Sequence, residues 1–286
     1  MTVHVDSIAL SRRLPWLAVG LGISTLLGCS LFPTDDSVSK VESRRPSLPP
    51  IQAAREAIQL EVLFVERPAD DPLLGQILWR EVDETGVQPE TRELLHQNGF
   101  RVGHVGSSIP PAVQTLLGLV GRGESGDDQS AKSLVGRRKI LPPGMDTEVQ
   151  TGEERESCQL RIIQGERADI REYHHARTLF RMTSARLQEG WVRIDFQPEI
   201  HHGENRVRHT PTEEGFGQGW GLRSRQNVDA RHSHRFFLTM NVGEMAIISS
   251  TSDQPETMGD LFFCRDDGGI KKQRVLIVRV AAAGAK

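Results

Sequence analysis

The residues best suited to chemistry lie near the start of the chain, where an apolar run ends at a cysteine. The run Leu14–Leu27 is about 14 residues long, follows Arg12-Arg13, and leads directly into Gly28-Cys29. Basic residues, an apolar run and a small residue in that order predict a secretory signal. A helix that crosses a bilayer needs about 20 apolar residues, so we do not expect a permanent membrane span here. The thiol at the end of the run is a potential nucleophile.

The sequence Leu26-Leu27-Gly28-Cys29 resembles the lipobox of bacterial lipoproteins. The resemblance implies that Cys29 carries a diacylglyceryl group, that cleavage follows Gly28, and that the new amino terminus is acylated. Each buried methylene contributes about 0.8 kcal/mol, so two or more acyl chains would hold the protein on membrane lipid. Ser30 resembles the outer-membrane class of these proteins, which predicts a periplasm-facing outer-membrane location. The alternative is a coincidental cysteine at the end of a cleaved signal or of an internal apolar segment.

Histidines form the second group of residues that could do chemistry. They occur at His174-His175, His201-His202, His209, His232 and His234. On a strand, His232 and His234 would face the same side, and imidazole donors suit zinc or copper. Adjacent histidines point in opposite directions on a strand, however, and the spacings typical of zinc sites are absent from the sequence. We therefore expect solvated or hydrogen-bonded histidines and no cofactor, and we retain His201, His202, His232 and His234 as metal candidates.

Two further cysteines and several serines are candidate reactive groups. Cys158 and Cys264 could form a disulfide in an oxidising periplasm, or they could be two separate buried thiols. Neither lies in a recognisable catalytic signature, and Ser107, Ser249 and Ser250 lack the context of a nucleophile elbow. The sequence therefore predicts no catalytic residue and no enzyme. A periplasmic metal-binding or hydrolytic protein is the alternative.

Composition limits the classes of partner. The formal net charge is −3 and both signs are interspersed along the chain. A nucleic-acid-binding protein would need a basic patch, so no nucleic acid is expected. The expected partners are membrane lipid, through the acylated Cys29, and other envelope proteins or further copies of the chain.

Shifts in composition divide the chain into five predicted parts. These are a signal peptide (1–28), a flexible tether (29–51), a small α/β module (52–120), a linker (121–157) and a mainly antiparallel β domain (158–286). The tether and linker are poor in large apolar residues, so neither is expected to build a core, and the segment 121–157 could equally be a long excursion from one domain. The fold class predicted for the whole chain is α+β.

The elements of the α/β module follow from local patterns. The sequence AIQLEVLFVERP alternates apolar and polar residues and predicts a strand. Pro72 and Pro89 each mark the start of a helix, and Asn98-Gly99 marks a helix end. FRVGHVG predicts a second strand, and Pro110-Pro111 leads into a third helix. The predicted order is strand, helix, helix, strand, helix.

The second segment carries strand patterns almost throughout. A hairpin is predicted around Gln164-Gly165-Glu166, and a turn at Gly243-Glu244 between two strands. In GWVRIDFQPEI one set of residues should face the core and the other the solvent. The inward set is Val192, Ile194 and Phe196, and the outward set is Arg193, Asp195 and Gln197. The sequence QRVLIVRVAA predicts a final β-branched strand.

The order of these strands is similar to the core of bacterial secretins, which form outer-membrane rings. The similar stretches are QGERADIRE, GWVRIDFQPEI, LTMNVGEMAIISS, GDLFF and QRVLIVRV. The matched positions are Gly165, Ala168, Pro198, Gly243, Glu244, Ile248 and Leu276–Val280. The resemblance covers about the last two-fifths of the chain and implies a role in a secretin-like assembly, with no catalytic residue. The family's lip motif is reduced here to PETMGDLFF, and the segment 201–234 is more polar and glycine-rich than a lipid-facing barrel band.

Overall fold

A computed structural model describes residues 57–119, 135–142, 144–165, 167–188, 190–212, 219–251 and 254–284. The lipobox and Cys29 lie outside these residues, so the predicted signal and tether have no structural account. Among the described residues, no helix has the length and apolar character needed to cross a bilayer.

Twelve strands and four α-helices make up the named elements of this part of the chain. The strands are β1 (Ile58–Pro68), β2 (Phe100–Val105), β3 (Val135–Leu141), β4 (Asp146–Gln150), β5 (Arg155–Gln164), β6 (Arg167–Arg186), β7 (Val192–Thr212), β8 (Gly219–Ala230), β9 (Phe236–Met240), β10 (Met245–Ser250), β11 (Cys264–Asp267) and β12 (Ile270–Ala283). The helices are α1 (Leu78–Glu81), α2 (Pro89–Gln97), α3 (Pro111–Leu116) and α4 (Met258–Phe263). A π-helical turn, Leu73–Ile77, precedes α1. The predicted α+β class is confirmed, with antiparallel strands dominant.

The first sheet, sheet A, has the strand order β2-β10-β12-β1-β3, with β11 paired to β12. Its central pair is antiparallel and joins distant parts of the chain, with Val62 opposite Val278. β2 pairs with β10 over its whole length, from Phe100 opposite Ser250 to Val105 opposite Met245. Sheet A therefore depends on contacts between residues about 150 to 220 positions apart. Closing such long loops costs conformational entropy, which the burial of apolar side chains between the sheets offsets.

The second sheet, sheet B, has the order β4-β6-β7-β8, with β5 paired to β6 and β9 paired to β7. The first half of β6 pairs with β5 and the second half with β7. β7 likewise pairs with β9 over Val192–Phe196 and with β8 from Glu199 onward. The predicted hairpin at Gly165 is confirmed as the β5–β6 connection, where Gly165 has a φ of +63° that favours glycine.

The core lies between the two sheets. Alternate residues of β1 and β12 face it, including Leu60 and Val278, both fully buried. Sheet B contributes Ile194, Phe180 and other buried side chains to the same cluster. Phe180 contacts the rings of several other phenylalanines, with a centroid separation of 5.3 Å to that of Phe262. Aromatic packing of this kind adds to the area burial that holds the two sheets together.

Helices cover the opposite face of sheet A. Ile277 and Met245 point to this side and pack in a second cluster with Leu78, Trp79 and Val113. The described chain therefore has three layers, with helices on sheet A and sheet A on sheet B. The alternation of core-facing and helix-facing residues explains why β10 and the centre of β12 are apolar on both faces.

The junction Asn98-Gly99 connects α2 to the rest of the fold. Asn98 is fully buried, and its side-chain amide donates to the carbonyl of Ile163 at 2.9 Å and accepts from the N–H of Ile163 at 2.8 Å. Gly99 has a φ of +80°, and a Cβ there would lie 2.1 Å from Oγ1 of Thr257. This junction therefore requires both the amide side chain and the glycine that the sequence pattern indicates only as a helix end.

The predicted division into two domains differs from the structure. All described residues belong to one compact unit, because β1 and β2 from the predicted module 52–120 lie in the same sheet as β10 and β12 from the predicted domain 158–286. The predicted linker 121–157 also contains β3, β4 and the start of β5. These strands lie at edges of the sheets, where solvent contact allows the polar composition that resembled a linker.

The inward set in β7 is confirmed, because Val192, Ile194 and Phe196 are fully buried. The prediction that the outward set is solvated is wrong for two of its members. Asp195 and Gln197 are each only 9% exposed. Guanidinium groups of Arg193 and Arg235 lie 3.0 and 3.1 Å from the Asp195 carboxylate and cover it.

Candidate functional site

A cleft opens where the edge strands of the two sheets, β3 and β4, lie side by side. We call it the β3–β4 cleft, and its volume is ≈ 510 Å³. That volume lies within the range of small-molecule sites in proteins, roughly 300 to 1,000 Å³. β3 is the last strand of sheet A and β4 the last strand of sheet B. The cleft is therefore the open side of the sandwich, and it reaches toward the core between the sheets.

One wall of the cleft is basic. Val135, Arg137 and Lys139 are alternate residues of β3, so the pleat of the strand turns all three toward the cleft. Arg138 lies between them on the other face of β3, where its guanidinium is 3.1 Å from the Glu61 carboxylate. Arg137 and Lys139 form no ion pair or hydrogen bond with any other residue that the structure describes.

The acidic groups of the cleft are already paired. Glu66 receives hydrogen bonds from Arg265 at 2.7 Å and from Arg274 at 3.2 Å. Burial raises the pKa of Glu66, but the hydrogen bonds and charges of these two arginines outweigh it, so the pKa lies below its usual value. The other two pairs are Glu153 with Arg265 at 2.7 Å and Glu148 with Arg181 at 2.9 Å. Each carboxylate in the cleft therefore lies against an arginine, although Arg265 is shared by Glu66 and Glu153, and Arg181 also pairs with Asp146 and Glu199.

The floor of the cleft is apolar. Val62 and Val149 are buried there, one from each sheet. Phe64 lies beside them and is half-buried, and the guanidinium carbon of Arg274 is 5.6 Å from the centre of its ring. Val135 is 54% exposed on the wall above. A ligand in the cleft would therefore meet both unpaired cations and uncovered apolar surface.

A second polar cluster lies around Glu199 on sheet B. Its carboxylate accepts a hydrogen bond from Arg181 at 2.7 Å and lies 3.0 Å from Nε2 of His201. Burial raises the pKa of Glu199, whereas hydrogen bonds with His201 and Arg181 lower it, and the result is about 2. The side chain of Glu199 is only 5% exposed. This cluster holds strands β6 and β7 together and leaves little carboxylate surface for a ligand.

The histidines predicted as metal candidates lie apart. His201 contacts Glu199, whereas the ring of His202 packs edge-on against Tyr173 at 5.1 Å. Nδ1 of His232 lies 3.2 Å from the side-chain oxygen of Gln197. Within the described residues, no group of three or more His, Cys, Asp or Glu side chains could hold a metal ion.

His232 and His234 do not lie on a strand, the arrangement in which their rings would face the same side. They occupy a 3₁₀ turn, His232–His234, in which His232 is exposed and His234 is fully buried. Burial and, to a smaller extent, the charge of Arg231 together lower the pKa of His234 to about 4. The alternating strand pattern that would bring both rings to one side is absent, because the chain turns here between β8 and β9.

A disulfide between Cys158 and Cys264 and two separate thiols were the two alternatives from the sequence. In the structure both cysteines are free thiols. Cys264 is buried, and its sulfur lies 3.1 Å from Oγ of Ser250. Cys158 is only partly buried, on β5. Burial raises the pKa of both thiols, which lowers their thiolate fraction and hence their nucleophilicity.

The residues matched to secretins are divided between the two sheets. Gly165, Ala168 and Pro198 belong to sheet B or its hairpin, whereas Ile248 and Leu276–Val280 belong to sheet A. Gly243 is in the turn before β10, with a φ of +92°, and the neighbouring Glu244 carboxylate lies 3.0 Å from Nε2 of His104.

No protein-family model, curated protein or solved structure matches this chain. The resemblances to lipoproteins and to secretins therefore stay predictions from the sequence. Of the features above, the β3–β4 cleft was missed at the sequence level. The alternation of Val135, Arg137, Lys139 and Leu141 was the signal that could have identified an edge strand with one basic face.

Proposed function

We propose that this chain is a lipid-anchored protein of the bacterial cell envelope that binds a ligand at the β3–β4 cleft and holds it near the membrane. The observation that carries the anchor is the order of Arg12-Arg13, the apolar run and Leu26-Leu27-Gly28-Cys29. Acylation of Cys29 would supply two or more chains, enough for a stable attachment. The serine after Cys29 favours the outer membrane, with the described fold in the periplasm.

The length of chain after the cysteine supports this arrangement. The first described residue, Ala57, follows Cys29 by 28 residues (57 − 29 = 28). A chain of that length spans at most about 100 Å when fully extended. The proposed anchor therefore limits the distance between the described fold and the lipid surface to at most that length.

A binding role is preferred to catalysis because of what the cleft contains. Its polar groups are arginine, lysine, glutamate and glutamine, with no cysteine, serine or histidine among the lining residues that the structure describes. Catalysis by a serine or cysteine nucleophile needs such a side chain beside a base. The secretin-like part of the proposal, in which the chain joins an envelope assembly, rests on the sequence resemblance alone.

Metabolic labelling tests the anchor. Cells expressing the full chain are fed an alkyne analogue of palmitate, and the chain is purified and tagged. We expect label on the unaltered chain and on a Cys158→Ala control, and none on Cys29→Ala, which should also accumulate as a longer precursor. Label on the Cys29→Ala variant equal to that on the control would refute the anchor.

A further inference from the structure

We infer that the β3–β4 cleft binds an anionic amphiphile, a ligand with a carboxylate or phosphate head and a short acyl chain. The inference rests on the binding role proposed for the cleft and does not depend on the lipid anchor. Its two parts, the anionic head and the apolar chain, are each argued from different residues of the cleft.

The anionic head follows from the charge arrangement. Arg137 and Lys139 point into the cleft without an acidic partner among the described residues. A guanidinium and an ammonium side by side repel each other, and an anion between them removes that repulsion. Arg137 can donate two parallel hydrogen bonds to a carboxylate or phosphate, and Lys139 can add a third.

The carboxylates of the cleft do not oppose an anion, because each already has an arginine partner. Glu66 is held between Arg265 and Arg274, whose guanidinium groups approach it at 2.7 and 3.2 Å. A cationic ligand would have to displace one of these arginines to reach Glu66. The free charge that the cleft offers to a ligand is therefore positive.

The acyl chain of the proposed ligand is inferred from the apolar surface beneath Arg137 and Lys139. Phe64 is half-buried and Val135 is 54% exposed, so both keep apolar surface in contact with water. Val62 and Val149 continue that surface toward the core. An acyl chain laid along these side chains would remove apolar area from water, which is favourable in proportion to the area covered.

Titration calorimetry on the full chain tests the inference, in phosphatidylcholine nanodiscs when Cys29 carries lipid and in buffer alone when it does not. Octyl phosphate is the probe. Two comparison compounds each lack one of its parts: inorganic phosphate has no alkyl chain, and octyl glucoside has no charge. The heats measured with empty nanodiscs are subtracted. We expect octyl phosphate to bind at least about tenfold more tightly than either comparison compound, since each lacks one of the two contacts. If octyl glucoside binds as tightly as octyl phosphate, the ligand does not need an anionic head. If inorganic phosphate binds as tightly, the ligand does not need an acyl chain, and either result would overturn the inference.

Two neighbouring arginines provide the matched variants. Arg137→Gln should weaken octyl phosphate binding by about tenfold, the effect of losing one charge-assisted contact. Arg138→Gln removes the same charge from the other face of β3 and should leave the affinity unchanged. Equal weakening by both variants would show that binding follows overall charge and would overturn the site. Thermal melts establish that both variants fold, as expected for exposed side chains.

The result separates this inference from the lipid anchor. If octyl phosphate fails to bind while Cys29 is acylated, the ligand class is wrong and the anchor stands. If octyl phosphate binds as described while Cys29 carries no lipid, the ligand class stands and the anchor is wrong.

Discussion

Replacement of Asn98 by alanine should destabilise the fold far more than the size of the side chain suggests. Asn98 is fully buried at the end of α2. Its amide donates to the carbonyl oxygens of Leu94 at 2.8 Å and Ile163 at 2.9 Å, and its oxygen accepts from the N–H of Ile163 at 2.8 Å. One side chain thus pairs both backbone groups of a residue on β5.

The loss of stability in Asn98→Ala can be estimated from the backbone groups that lose their hydrogen-bond partner. In Asn98→Ala the N–H and carbonyl of the partly buried Ile163 lose their partner. A fully buried unpaired group costs about 1 to 3 kcal/mol, and because these two groups are only partly buried we expect a loss of about 3 kcal/mol in the free energy of unfolding. A typical domain has only about 5 to 15 kcal/mol in total. The variant should therefore be marginally stable.

Urea unfolding of the extracted chain, followed by tryptophan fluorescence, measures the loss. Gln97→Ala is the matched control, because Gln97 is the preceding residue of α2 and is only partly buried, and its one described side-chain hydrogen bond, to Glu93, is exposed. We expect Gln97→Ala to change the free energy of unfolding by less than about 0.5 kcal/mol. A loss below about 1 kcal/mol in Asn98→Ala would refute the reasoning that this amide joins α2 to β5.

Three further predictions concern the two sheets and their charges. Glu199→Gln should cost about 2 kcal/mol at pH 7, allowing for screening around the partly exposed Arg181. The pKa of Glu199 is about 2 when folded against 4.5 normally, so this stability is present above pH 4.5 and is lost as the pH falls toward 2, and urea midpoints of the two proteins should converge there. The pKa of His234 is about 4 when folded against 6.5 normally, so the unfolded chain binds a proton first and the protein should lose stability as the pH falls from 6.5 to 4. His234→Gln should abolish that part of the pH dependence, and a parallel curve would contradict this cause. Ile194→Asp should cost several kcal/mol in a melt whereas Val242→Asp, at a 47% exposed valine, should cost little, and equal losses would contradict the assigned strand faces.

The local elements could be predicted from the sequence because their signals are local. The strand β1, the helix start at Pro89, the helix end at Asn98-Gly99 and the turn at Gly243 all appear where the patterns place them. Each depends on a few neighbouring residues, through alternation, a fixed proline φ, or glycine at positive φ.

The arrangement of those elements could not be predicted in the same way. The pairing of β1 with β12 joins Ile58 to Ala283, and nothing in either strand alone specifies the other as its partner. The predicted domain boundary at residue 120 failed for this reason. The predicted linker failed because β3 and β4 are edge strands, in which polar residues are tolerated on the open side.

The surroundings of individual charged residues could not be predicted from the sequence either. Asp195 lies in a clear alternating pattern, yet it is buried because two arginines from other positions cover it. Arg137 and Lys139 are ordinary surface cations in the sequence. Their position beside Phe64 arises only because β3 pairs with β1, with Phe64 opposite Val135. A site assembled by strand pairing can therefore be identified from the fold but not from the spacing of its residues along the chain.

Intact-mass spectrometry of the full chain purified from membranes tests the central claim most directly. The account predicts a mature chain that begins at Cys29 and carries a diacylglyceryl group and an amide-linked acyl chain on that residue. A chain that begins at another residue, or that begins at Cys29 without lipid, would contradict it.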